Sequence, residues 1–250
     1  MNQKEINYYA ANEAVEFRRR FDLGQADPIR IDSLLNKLDL LTVFAEMSGD
    51  FSGMAARFGN DGFLLINCSV PKGRQIFTIC HEFYHLFIQD GFEFEVITSG
   101  KKTGIKKTDN EKLADAFAAE LLMPEKGIQE LLLKQNYLGK KIELDHIIKL
   151  EQYFQVSRQS MVYRLSNLGF LNKTDNLESK YLIEVKESAQ KRGYDTSLYE
   201  PTMPKVISSD YFDKALYLYR TEKIGLTDYA QLLKDIGIDL FEFLNTSKIQ

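Results

Sequence analysis

The stretch FTICHEFYHLF, Phe77 to Phe87, holds two of the three histidines in a chain of 250 residues. They stand four residues apart, with a glutamate directly after the first, inside an otherwise apolar run. On an α-helix, residues four apart are offset by only about 40° around the axis. A helix here therefore projects His81 and His85 from one face, one above the other. Its neighbours Ile76, Phe77, Phe83, Phe87 and Ile88 make it a core helix. The fold must bury this helix and still employ two imidazoles and a carboxylate, which are costly to bury without partners.

Two imidazoles so placed can bind one tetrahedral ion. Glu82 lies about 100° further round the helix, beside that ion and not forced to ligate it. This is the arrangement that activates a water next to a carboxylate base, which takes a proton and later passes it to a leaving amine. A histidine among apolar neighbours can also be a hydrogen-bonded core residue. The scarcity of histidine, with two of three in register, favours the metal. A third ligand is required, and no third histidine follows: the chain continues HLFIQD. Downstream, EKLADAFAAELLMP places Glu111 and Asp115 in the spacing E-x-x-x-D. On that helix Glu111, Asp115, Ala118 and Leu122 share one stripe, while Glu120 is about 180° from Glu111. Glu111 is thus the expected third ligand and Glu120 is not. Small alanines at 114 and 118 let the two helices approach. Asp115, one turn on, can accept a ring N–H and hold an imidazole in the ligating tautomer.

The rest of the chain reads as α+β. A helix over Ala10 to Phe21 ends near Gly24, and a second follows Pro28 with Asp32 as its expected cap. Short apolar stretches punctuated by Gly49, Gly53 and the cluster GNDG (Gly59 to Gly62) predict a small, mostly antiparallel sheet packed on the two metal-binding helices. A polar segment from Gln89 to Asn110 predicts a mobile loop with a short strand near Phe92 to Ile97. Its lysines 101, 102, 106 and 107 read as a solvated face. Leu144 to Leu171 predicts two helices around the turn QVS, and 193–210, with Pro201 and Pro204, reads as a linker to a short helical C-terminal unit. Cys68 and Cys80 form no C-x-x-C pattern and read as buried thiols. The net charge of −4 gives no global field for nucleic acid. No stretch reaches the roughly 18–20 apolar residues of a membrane span, and no signal peptide opens the chain, so a cytoplasmic location is expected.

RQIFTICHEFYHLF followed by NEKLADAFAAELLMP resembles the paired motifs of the ImmA/IrrE family of metallo-endopeptidases. SGMAARFGNDGFLLINCS resembles that family's sheet, and FQVSRQSMVYRLSNLGFL its helix-turn-helix-like segment. The resemblance covers roughly Leu23 to Leu171. Cys80 stands where alanine is usual and Tyr84 where glycine is frequent, and Tyr84 is large enough to narrow a cleft. The resemblance implies a zincin-like metallopeptidase domain over 1–135, a helix-turn-helix-like segment over 136–173, and a linker with a C-terminal helical unit over 174–250. It implies a gluzincin-like site with one Zn2+ on His81, His85 and Glu111 and with Glu82 as the catalytic base. It also implies a protein substrate: a cytoplasmic helix-turn-helix repressor, often encoded on a mobile element or prophage.

A competing class is a DNA-binding or protein-interaction regulator with an inactive or structural metal site. There Ser157 caps a second helix that carries Arg158, Gln159 and Arg164. Few basic residues and many apolar positions in that segment weigh against direct DNA contact. His146, in LDHIIKLE, reads as a surface or packing residue.

Overall fold

The computed structural model describes residues 1–48, 50–58, 61–92, 94–98, 108–134, 137, 141–172, 180–207 and 210–239, with backbone alone at 58 and 94–98. Helices α1 (Gln3–Arg20) and α2 (Ile31–Lys37) precede strands β1 (Leu41–Ala45), β2 (Phe51–Phe58) and β3 (Asp61–Asn67). Helix α3 (Lys72–Phe87), strand β4 (Phe94–Thr98) and helices α4 (Asp109–Leu122) and α5 (Glu125–Lys134) follow. Next come α6 (Leu144–Phe154), α7 (Arg158–Asn167) and α8 (Val185–Gln190), then strand β5 (Lys205–Ile207) and helices α9 (Tyr211–Arg220) and α10 (Leu226–Asp235).

The five strands form one sheet in the order β4-β2-β3-β1-β5. α3 lies on it, across β2 and β3, and α4 packs on α3 with α1 alongside α4. The α+β architecture follows the expectation, with one departure. β1 pairs with β3 in parallel, Val43 opposite Leu65, while the other neighbours are antiparallel. The chain turns back between β1 and β2 two strand-widths away, and β3 then fills the gap. Asn67, fully buried, holds that wide turn. Its Nδ2 donates to the carbonyls of Met47 (3.1 Å) and Phe51 (2.8 Å), and its Oδ1 accepts from the N–H groups of Met47 and Ser69. A side-chain amide thus replaces missing ladder bonds.

Two local expectations are revised. α2 starts at Ile31 with Arg30 as its cap residue, making no side-chain bond, and Asp32 pairs with Lys205 at 3.1 Å. The stretch read as a linker carries β5, which covers the edge of β1, and Thr202 is hydrogen-bonded to Cys68 and Gln75. Two prolines marked it as irregular, yet both precede the strand, Pro204 directly, and neither interrupts it. The short strand expected near Phe92 to Ile97 is present as β4, paired with β2, while residues 99–107, with the four lysines, lie outside the described residues, as do Gly49, Gly59 and Asn60. α9 and α10 pack on each other around Ala215, Tyr229 and Leu233, apart from the main core. Among the described residues no helix is long and apolar enough to cross a membrane.

Candidate metal centre

α3 is held close to the sheet. A Cβ on Gly53 of β2 would come within 2.6 Å of Thr78 Cγ2, one turn before His81. At the start of α3, a Cβ on Gly73 would meet the backbone of Ser157 at 2.8 Å, so the α6–α7 turn also rests on this helix. At its far end Arg57 donates to the carbonyl of Leu86, a cation at the negative end of the helix. The helix is buried on nearly every side; His81, Glu82 and His85 are 3%, 0% and 0% exposed.

α4 brings the acidic partners. Thr108 caps it, its hydroxyl accepting from the Glu111 N–H at 3.2 Å, so Glu111 stands in the first turn where negative charge is favoured. Ala114 and Ala118 are fully buried beneath it. Two arginines fix its other end. Arg18 of α1, itself buried, donates to the Leu121 carbonyl and to the carbonyls of Gly24 and Asp27. Burial lowers the Arg18 guanidinium to about 10, still charged at neutral pH. Arg164 of α7 donates to the Met123 carbonyl at 2.9 Å and forms a two-pronged ion pair with Glu120. Glu120 therefore points away from the histidines, as the helix phase requires.

The cluster closes around three ligand-type side chains. His81 Nε2 and His85 Nε2 lie 3.1 Å apart, and the Glu111 carboxylate lies 3.7 Å from the first and 3.5 Å from the second. Bonds of about 2.05 Å at a tetrahedral ion put neighbouring donor atoms about 3.3 Å apart, so these spacings suit a shared cation. His81 Nδ1 faces Asp115 Oδ1 at 3.0 Å, and His85 Nδ1 faces Gln89 Oε1 at 2.6 Å. Each ring donates through Nδ1 to an oxygen, which leaves an Nε2 lone pair toward the other ring. Two lone pairs at that distance repel unless a cation sits between them or one nitrogen is protonated. The charge balance points the same way. Burial opposes protonation of His81, but Asp115, Glu111 and Glu82 outweigh it and raise the imidazole to about 9. The donor set fits a divalent metal ion: two nitrogens, one carboxylate and surplus negative charge.

Five residues singled out by sequence thus come together: His81, His85, Glu111, Asp115 and, buried beside His81, Glu82. Two were missed. Gln89 and Phe92 touch His85 from a segment whose polar composition reads as loop; only the four-residue spacing of Gln89 from His85 could have marked it. Tyr84 does not stand over the ligand face; it packs edge-on to His85 (5.6 Å) and near Phe117 (6.0 Å). His146 accepts from the Glu143 N–H at 2.9 Å and packs on Tyr137, capping α6. Both cysteines are buried and free, and burial raises both thiols. Arg158 is 1% exposed and ion-paired with the fully buried Glu151.

Residues 37–166, more than half of the chain, match the family model of the IrrE N-terminal-like domain, a peptidase family. The chain belongs to this family. The match runs from the end of α2 through β1 to β4 and α3 to α7, and so contains the whole metal centre and α7, while α1, which supplies Arg18, lies before it. No curated protein matches the chain. Membership in a peptidase family, with a His-His-Glu cluster of metal-ligand type whose two histidines are buried, gives a metallopeptidase-like function.

Proposed function

We propose that this protein is a zinc-dependent endopeptidase that cuts a cytoplasmic helix-turn-helix repressor and so relieves repression. One observation carries the catalytic part: the ligand atoms of His81, His85 and Glu111 lie within 4.8 Å of one another, with the Glu82 carboxylate buried next to them. These three residues would hold one ion, which would supply Lewis acidity to water and to the scissile carbonyl. Glu82 accepts the proton of the attacking water and delivers it to the leaving nitrogen. Asp115 keeps His81 protonated at Nδ1, so that Nε2 stays available for ligation. The cover of β1 by β5 leaves β4 as the other edge of the sheet, where an extended substrate could add as a strand.

The choice of a repressor rests on the sequence resemblance to the ImmA/IrrE endopeptidases. The regulator reading draws less support, because Arg158 and Arg164, the two arginines of α7, are committed to Glu151 and Glu120. The test is metal analysis of the purified chain, followed by incubation with helix-turn-helix proteins encoded beside its gene. One discrete cleavage product, absent with Glu82→Gln, is the expected result. Absence of bound metal would overturn the catalytic reading. Casein cut as readily as any such protein would overturn the repressor reading.

A further inference from the structure

The segment directly after α3 folds back onto His85. Gln89 presents Oε1 to Nδ1 at 2.6 Å. The backbone of Gln89 is itself fixed, because its N–H donates to the Tyr84 carbonyl at 2.9 Å, the same carbonyl that accepts from Ile88. Gly91 then takes a φ of +66°, a left-handed conformation that glycine adopts without the Cβ penalty. That turn returns the chain so that Phe92, 6% exposed, lies nearly parallel to the His85 ring with centroids 5.4 Å apart. Tyr84 meets the same ring edge-on. The imidazole is thus gripped along its Nδ1 edge and one face.

We infer that residues 89–92 are a clasp that sets the tautomer and orientation of His85, with Gln89 a positioning residue for the ion that His85 holds. The inference rests on the proposed metal centre. An imidazole that ligates through Nε2 must carry its proton on Nδ1, and an amide oxygen accepts that proton. Asp115 does the same for His81 with a carboxylate, so the two ligands are unequal. The neutral amide orients His85 without adding charge to a cluster that already holds Glu82, Glu111 and Asp115.

The test compares full-length wild type, Gln89→Met and Gln89→Glu by zinc competition with a chromophoric chelator. Methionine keeps the length of the side chain and cannot match the amide as an acceptor; glutamate restores an acceptor. Gln89→Met is expected to weaken zinc binding about 10–100-fold, and Gln89→Glu to return it to within a few-fold of wild type. Thermal melting of the metal-free proteins serves as the packing control. Wild-type affinity in Gln89→Met, or equal losses in both variants, would overturn the clasp. Nitrogen NMR of labelled histidine in the metal-free wild type supplies an independent readout, expected to show the His85 proton on Nδ1. A proton on Nε2 would overturn the clasp even if a variant failed to fold. A metal-free wild type that takes up no zinc, yet shows the Nδ1 tautomer, would instead remove the metal centre and leave the clasp as a packing feature only.

Discussion

Removing the carboxylate that faces His81 should change how metal binding depends on pH. In the metal-free protein the His81 imidazole is raised to about 9 against an ordinary 6.5. Below pH 9 an incoming ion must displace that proton. Zinc affinity should therefore rise about tenfold per pH unit between pH 6.5 and 8.5, and at pH 7 proton competition alone costs about 100-fold, or ~2.7 kcal/mol. Folding of the metal-free chain has the opposite sign. A pKa raised by folding stabilises fully below the unfolded value and loses that contribution as pH rises through the folded one. The metal-free protein should thus lose on the order of 3 kcal/mol between pH 6.5 and 9, while the zinc-loaded protein should not. Asp115→Asn removes the main opposing carboxylate, so His81 titrates nearer its ordinary value and the slope of affinity against pH flattens. Its absolute affinity should fall about 10–100-fold above pH 9, where proton competition has gone and only orientation and basicity remain. Chelator competition across this range measures the slope, and calorimetry in two buffers counts the protons released. A wild-type affinity that is flat from pH 6.5 to 8.5, with no proton release at pH 7, would refute the reasoning.

Glu82→Gln should keep the fold and the ion while peptide hydrolysis drops ~10²–10⁴-fold or more, as measured by product formation with metal content matched to wild type. Glu111→Ala should abolish stoichiometric metal binding in a titration, whereas Glu120→Ala should retain the ion. Glu120→Ala should instead lower stability by about 1–3 kcal/mol in denaturant unfolding, because it strands the buried Arg164. A chain ending at Tyr199 loses β5 and the Thr202 bond to Gln75. It is expected to bind one ion still, with a lower unfolding midpoint, and failure to bind while folded would show that this segment supports the centre. Gly53→Ala should destabilise by about 1–3 kcal/mol through the clash with Thr78.

The centre was legible because helix phase is a short-range property. Four-residue spacing fixes His81 over His85, and nine residues of the same helix suffice to turn Glu120 away from Glu111. The cap at Ser157 and the left-handed Gln155 of the QVS turn are equally local. The features that went unread depend on distant partners. Nothing near β1 states that β3, two elements on, will lie parallel beside it, and Asn67 gains its meaning only from Met47 and Phe51. β5 is three residues directly after a proline and becomes a strand only because β1 offers it an edge. Gln89 and Phe92 look like loop because their task is to satisfy one ring; they do not extend a periodic face.

The bracing of α4 explains why the helix-turn-helix-like segment belongs with the metal centre. Glu111 can share an ion with α3 only if α4 keeps its position along its own axis, since one residue of slip moves the carboxylate about 1.5 Å and rotates it about 100°. Thr108 fixes one end of α4. The other end carries carbonyls that need donors, and Arg18 and Arg164 supply them from α1 and α7. α7 is in turn anchored by the buried Arg158–Glu151 pair, which also binds the Tyr199 hydroxyl. A path of buried, charge-assisted bonds thus runs from the C-terminal segment through α6 and α7 to the helix of the third ligand. The two arginines that composition would assign to a DNA backbone are spent inside the protein: Arg158 anchors α7 to Glu151, and Arg164 holds Glu120 and the Met123 carbonyl at the end of the helix that carries Glu111.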